Sequence, residues 1–173
     1  MLRILGIAIL SITMIGCSQN RPVIKTMEYV DLSRFMGDWY VIANIPTFIE
    51  VGAHNAIETY QMNDDKTIAT TFSFNDGSFA GDRKVYRPKG FIKNKQSNAI
   101  WGMQFIWPIK ADYRIVYVDP EYTQTIIGRN ARDYVWIMAR TPVVSEKDYH
   151  NLVSIVKQQG YDVSKIQRVP QQW

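Results

Sequence analysis

Arg132-Asp133-Tyr134-Val135-Trp136-Ile137-Met138-Ala139-Arg140-Thr141-Pro142 is the stretch on which the fold of this chain turns. Its centre, Tyr134 to Ala139, is a short apolar run with aromatic and β-branched members, bounded by the turn-rich Gly128-Arg129-Asn130-Ala131-Arg132-Asp133 before it and by Pro142 after it. A run of that length between turn residues reads as a strand rather than a helix. The pattern recurs upstream. Segments rich in Val, Ile, Thr and aromatics fall near Trp39 to Ile45, Ala56 to Met62, Thr67 to Phe74, Lys84 to Ile92, Ala99 to Ile106, Tyr113 to Val118 and Thr125 to Ile127. With Tyr134 to Ala139 they make eight strands, and their regular spacing marks an all-β sandwich or barrel.

Short turns such as Asn63-Asp64-Asp65-Lys66, Asn75-Asp76-Gly77-Ser78 and Lys93-Asn94-Lys95-Gln96 connect most of these segments. One connection, Pro46 to His54, is longer, which makes it a lid for an open barrel end. Before the first strand, Asp31 caps a single helical turn that ends at Gly37. After the last strand, Ser145 caps a helix in which Tyr149, Leu152, Val153 and Val156 recur at helical spacing until Gly160 stops it. Its single apolar stripe has to be laid on another surface, and the outside of the barrel is the available one.

The N-terminus is of a different kind. Met1-Leu2-Arg3 is followed by an uncharged apolar run to Gly16, too short for the roughly 20 residues a membrane-spanning helix needs. Residues 1–16 therefore read as a secretion signal. Met14-Ile15-Gly16-Cys17 resembles the lipobox of bacterial lipoproteins, with Met14 in place of the usual leucine. Cys17 is the only cysteine, and a lone thiol in an oxidising compartment is otherwise an odd leftover. Cys17 is thus the expected lipidation site, and residues 17–30 the tether to a domain over residues 31–173. Ser18 after the cysteine, rather than an aspartate, points to the periplasmic face of the outer membrane. The formal charge of +4 falls by one when Arg3 leaves with the signal, too weak and scattered an excess for a nucleic-acid partner. The roughly 160 residues that remain suit one domain with one core.

Three local patterns resemble the lipocalins. Gly37-Asp38-Trp39-Tyr40 looks like the G-x-W signature of the first strand, Val116-Tyr117-Val118-Asp119-Pro120-Glu121-Tyr122 like the aspartate-turn-tyrosine motif between the sixth and seventh, and Arg140 like the arginine that lies across the signature tryptophan. Within that family the chain is most similar to bacterial lipocalins and their plant and animal relatives of the apolipoprotein D type. Arg132 to Pro142 is the longest matching run, and Gly160-Tyr161-Asp162-Val163 matches as well. The resemblance spans about residues 31 to 169. It implies an eight-stranded up-and-down antiparallel β-barrel with the C-terminal helix packed outside. It also implies a barrel floor built from Gly37, Trp39, Asp119, Tyr122 and Arg140, where a guanidinium over an indole is worth roughly 2 kcal/mol or more once desolvated. Bacterial lipocalins are lipoproteins that bind fatty acids and lysophospholipids for membrane upkeep, and the same business is implied here.

Alternation along the strands locates the interior, because every second residue of a barrel strand points inward. If Trp39 faces in, so do Val41 and Ala43. In the third strand Phe72 and Phe74 share the inward parity with Ile68 and Thr70, and in the fourth Ile92 shares it with Gly90. The fifth strand offers Trp101, Met103, Phe105 and Trp107, and the sixth Tyr113, Ile115 and Tyr117. Val41 stands where relatives commonly have a glutamate, and Phe72 where they often have an asparagine. An apolar wall with a few hydroxyls suits an acyl chain. A barrel filled by these bulky side chains is the alternative.

Little in the chain suggests catalysis. The two histidines, His54 near the barrel mouth and His150 on the last helix, lack metal-ligand spacing, and there is no nucleophile elbow or phosphate loop. The expected protein is a non-enzymatic lipid binder without cofactor, holding a fatty acid or lysophospholipid and reaching the membrane through its anchor, alone or as a homodimer. A lipocalin-fold enzyme acting on a lipid or isoprenoid, with His54 as its base, and a tetrapyrrole carrier are the other readings.

Overall fold

The computed structural model describes residues 21–173, so the secretion signal and Cys17 lie outside the described residues. Asp31 accepts hydrogen bonds from the backbone N–H groups of Ser33 and Arg34 and caps a one-turn helix, α1 (Leu32–Phe35). An antiparallel meander follows: β1 (Gly37–Ile45), β2 (Ala53–Met62), β3 (Ile68–Asp76), β4 (Arg83–Tyr86), β5 (Lys89–Ile92), β6 (Ile100–Ile106), β7 (Ile109–Val118), β8 (Gln124–Gly128) and β9 (Val135–Ala139). Neighbours pair in the order β1-β2-β3-β5-β6-β7-β8-β9, β4 pairs with β3, and β9 returns to β1 with Tyr40 opposite Ala139. That last pairing closes the sheet into a barrel.

The fourth stave of the barrel is where sequence and structure part. The run from Lys84 to Ile92, read as one strand, is split into β4 and β5, both paired with β3, by Arg87-Pro88. Proline has no N–H for the ladder. Its carbonyl still accepts from Thr70 N–H at 3.1 Å, so the break costs only one rung. With β4 and β5 counted as one stave, the barrel has the eight expected. The hairpin between β6 and β7 is longer than the spacing suggests, because β7 begins at Ile109 rather than at Tyr113.

Ser145 caps α2 (Glu146–Gln158) by accepting from Asp148 N–H, and Gly160 ends it with φ at +87°. Leu152 and Val156 on this helix are buried against the outside of the barrel. Beyond a short 3-10 turn (Val163–Lys165), β10 (Gln167–Arg168) pairs with Ala43 and Asn44 of β1. Gln171 then bridges β1 and β2 by donating to the carbonyls of Val41 and Ala56 at 2.8 and 3.1 Å.

Two apolar cores result, one inside the barrel and one between the barrel and α2. β-bulges decide which residue joins which. The register shifts between Val41 and Ala43 and again between Ile115 and Tyr117. Each extra residue reverses the alternation beyond it. Ala43 and Tyr117, expected inside, therefore belong to the outer core with Ile42 and Val116. The segment read as a tether also packs in part. Ile24 and Val30 are buried, and Met27 N–H donates to the carbonyl of Ile115 at 3.0 Å, so the chain is already in contact with the barrel before residue 31.

Candidate ligand-binding site

The closed end is built from the short helix, the start of β1 and the turn after β7. Trp39 is fully buried and donates its indole N–H to the carbonyl of Phe35 at 2.8 Å. The Arg140 guanidinium lies 3.8 Å from the centre of the indole. It donates to the carbonyls of Arg34, Phe35, Met36, Asp38 and Tyr122 at 2.7 to 3.3 Å. Gly37 adopts φ +94°, a conformation open to glycine, and thereby brings β1 under that guanidinium. Asp119 accepts from the N–H groups of Thr123 and Gln124 at 2.7 and 2.6 Å, and the Tyr122 hydroxyl accepts from Asp31 N–H at 2.8 Å. One layer higher, Phe35, Tyr60 and Trp101 meet with ring centres 5.6 to 5.7 Å apart. The lower half of the barrel is therefore solid.

Above this plug a cavity of about 450 Å³ opens, within the roughly 300–1,000 Å³ typical of small-molecule sites. Five of the residues expected in the interior form its wall: Thr70, Phe72, Met103, Phe105 and Tyr113. Val41, Phe74, Trp101 and Ile115 are buried in the same interior core below or beside it, and Ile92 packs against that core partly exposed. Besides Ala43, two residues of the expected set are elsewhere. Trp107 sits at the tip of the β6–β7 hairpin with 82% of its surface exposed, since the alternation that places Met103 inward ends with the strand at Ile106. Tyr117 is under α2, for the bulge just described. Phe105 is half-exposed at the mouth. The connection from Pro46 to His54 does cover the mouth, with Thr47, Phe48, Ile49 and Glu50 on the cavity.

Beyond the expected hydroxyls of Thr70 and Tyr113, the cavity carries buried carboxyl groups. Val41 leaves β1 without a polar group, yet Glu58 on β2 supplies one, because Glu58 pairs directly with Trp39 and directly opposed residues share a face. That pairing was the available signal. Glu58 is buried and accepts from the hydroxyls of Tyr60 and Tyr113, the latter at 3.1 Å, and these two hydroxyls also touch each other. Burial, with the negative charge of Glu50 adding to it, pushes the Glu58 carboxyl up to about 8 against the pull of the Tyr113 hydrogen bond. Tyr113 is in turn held well above the usual phenol range by burial and by Glu58. Glu50 pins the lid: one oxygen accepts from Trp136 Nε1 at 2.8 Å, the other from Thr47 N–H at 2.8 Å and its hydroxyl at 2.9 Å. Burial raises its carboxyl pKa, opposed by these donors.

His54 lies outside the lining. Its ring contacts the Gly52 carbonyl at 2.9 Å and stacks edge-on against Phe79. Among the described residues no group of three His, Cys, Asp or Glu is placed to hold a metal ion.

A closed antiparallel barrel, plugged at one end and hollow under a loop at the other, defines a small-molecule-binding β-barrel. Residues 30–171 match the lipocalin-like domain, and the chain belongs to the lipocalin family. It is 34% identical over 156 residues to temperature-induced lipocalin-1 of Arabidopsis thaliana, covering 85% of this chain and 84% of that one. It is 26% identical over 170 residues to the outer membrane lipoprotein Blc of Escherichia coli K12, covering 95% and 94%. Among solved structures it is similar to insecticyanin from the tobacco hornworm Manduca sexta, with a TM-score of 0.67, 18% identity and 86% and 84% of the two chains covered. Lobster apocrustacyanin A1 shares the fold at a TM-score of 0.64 and 12% identity, with 89% and 93% covered.

Proposed function

We propose that this lipocalin binds one acyl lipid, a fatty acid or lysophospholipid, in the cavity above Glu58, and that Cys17 anchors it by a lipid to the periplasmic face of the outer membrane. The single observation that carries the first half is the cavity: closed at its inner end, walled by Phe72, Met103, Tyr113 and Trp136 and roofed by the Thr47–Glu50 loop. Such a space rewards apolar length, at about 25 cal/mol per Å² removed from water. Phe48, Ile106, Trp107 and Ile109 stand exposed around the open end, an apolar rim that suits a domain drawing its ligand from a bilayer. The second half rests on the resemblance of Met14 to Cys17 to a lipobox and on the similarity to an outer membrane lipoprotein. Among the described residues no helix is long and apolar enough to cross a membrane. Native mass spectrometry of the protein purified from membranes tests both halves. It should show acyl groups on Cys17 and one released lipid per chain. Bare Cys17, or a coloured tetrapyrrole in place of lipid, would contradict the respective half.

A further inference from the structure

The inner end of an acyl-chain pocket is expected to be wholly apolar, because a methyl terminus offers nothing to a polar wall. This one is not. Glu58 lines the cavity just above the aromatic plug, and both hydroxyl bonds it receives, from Tyr60 and Tyr113, converge on Oε2. Oε1 is the oxygen left for a ligand. Thr70 lines the same region and pairs across β2 and β3 with Tyr60, on the face that carries Glu58. Its hydroxyl reaches only the Met103 sulfur, at 3.7 Å, a weak acceptor. Two under-used polar groups therefore converge at the deep end of the pocket.

The rim carries the complementary feature. Arg87 and Arg129 line the cavity near its mouth. Arg129 pairs with Asp133 at 3.3 Å, yet its Nε is buried without a hydrogen-bond partner among the described residues. The two guanidinium groups give an anionic group arriving there cationic, hydrogen-bonding partners.

We propose that the cavity selects acyl chains oxygenated at both ends, with an inner hydroxyl against Glu58 Oε1 and Thr70 Oγ1 and a carboxylate at the rim beside Arg87 and Arg129. This rests on the acyl-binding reading and narrows it to a substrate class. A hydroxyl both donates and accepts, so it can satisfy Glu58 in either protonation state. Near neutral pH, where burial keeps Glu58 protonated, the proton sits on the free Oε1 and is offered to the ligand oxygen. A plain chain would bury that group against a methyl and leave it unpaired, the arrangement by which a polar site rejects an analogue lacking the hydroxyl.

The test is a calorimetric titration of the delipidated protein with ω-hydroxy acids from octanoate to hexadecanoate, each against its unsubstituted counterpart. At the chain length that spans the rim and Glu58, the hydroxylated acid should bind at least about tenfold more tightly. Glu58→Leu should abolish that advantage. Should this variant fail to fold, Thr70→Val, which keeps the side-chain shape, should still cut the advantage severalfold. Equal or weaker binding of the hydroxylated acids at every length, or an advantage untouched in both variants, would overturn the proposal. In that case, tight binding of the plain acids would leave the acyl-binding reading standing, whereas no binding of either series would remove that reading as well.

Discussion

At the closed end of the barrel Trp39 has no exposed surface and Arg140 donates to five carbonyls, whereas at the open end Trp107 is 82% exposed and Arg129 holds a buried Nε with no hydrogen-bond partner among the described residues. Aromatic and arginine side chains are thus used in opposite ways within one barrel. Where every donor is matched and every ring is packed, removing an atom leaves a cavity or an orphaned carbonyl, and stability is at stake. Where rings and cations are left over, little folding energy depends on them and they are available to a ligand or a membrane. Glu58 sits at the border between the two regions, bonded to the plug on one oxygen and facing the cavity with the other.

The largest effect that holds at every pH is expected from breaking the closed end. Arg140→Ala removes the stacked pair and leaves several part-buried carbonyls without donors, so it should cost about 3 kcal/mol, read as a drop in Tm of about 6 to 12 °C. Acyl binding by the folded fraction should be nearly unchanged. Abolished binding with full stability would place Arg140 in the ligand site and erase the contrast.

The border residue should show an effect that depends on pH and vanishes at the acid end of the range. The folded protein holds a proton on Glu58 up to about 8, while in the unfolded chain the carboxyl releases it near the ordinary value of 4.5. Between those values the folded state binds more protons, so stability falls as pH rises, by up to about 1.4 kcal/mol per unit. Glu58→Gln should match the wild type near pH 4 and exceed it near pH 8 in denaturant unfolding. Parallel curves across that range would mean that Glu58 is ionised in the folded protein.

At the open end the expected effect is smallest. Trp107→Ser should change the unfolding free energy by less than about 0.5 kcal/mol, because the side chain is mostly in water already. If the rim meets a bilayer, the same variant should weaken binding of the delipidated domain to vesicles. A large loss of stability would show that the hairpin tip is part of the fold.

Much of the closed end was legible through the resemblance of three short motifs to those of lipocalins. Gly37, Trp39, Asp119, Tyr122 and Arg140 are bound to specific backbone groups, and such demands fix both residue type and spacing. Gly160-Tyr161 belongs with them: the Tyr161 hydroxyl accepts from Arg129 N–H at 2.7 Å and donates back to its carbonyl, and a Cβ on Gly128 would stand 2.6 Å from that oxygen. The cavity was only half legible. Simple alternation places Phe72, Met103 and Tyr113, but it fails for Ala43 and Tyr117, because a bulge is a backbone event with no fixed residue signature. It also passes over Glu58, whose inward direction follows from pairing with Trp39 and not from its own polarity. The lid could be seen in its length, but not its latch, since Glu50 and Trp136 are joined only by the closed barrel.

The central claim, that the hollow above the plug is an acyl-chain site, is tested most directly by a length series of saturated fatty acids titrated into the delipidated protein and into Ala111→Trp. Ala111 lines the cavity opposite Met103, so the indole should occupy the ligand's space while leaving the floor intact. In the wild type, affinity should rise with each methylene by up to about 0.8 kcal/mol, a little under fourfold in Kd, until the cavity is full. The variant should lose this dependence. A flat response in the wild type, or the same rise in both proteins, would contradict the claim and place lipid binding outside the barrel.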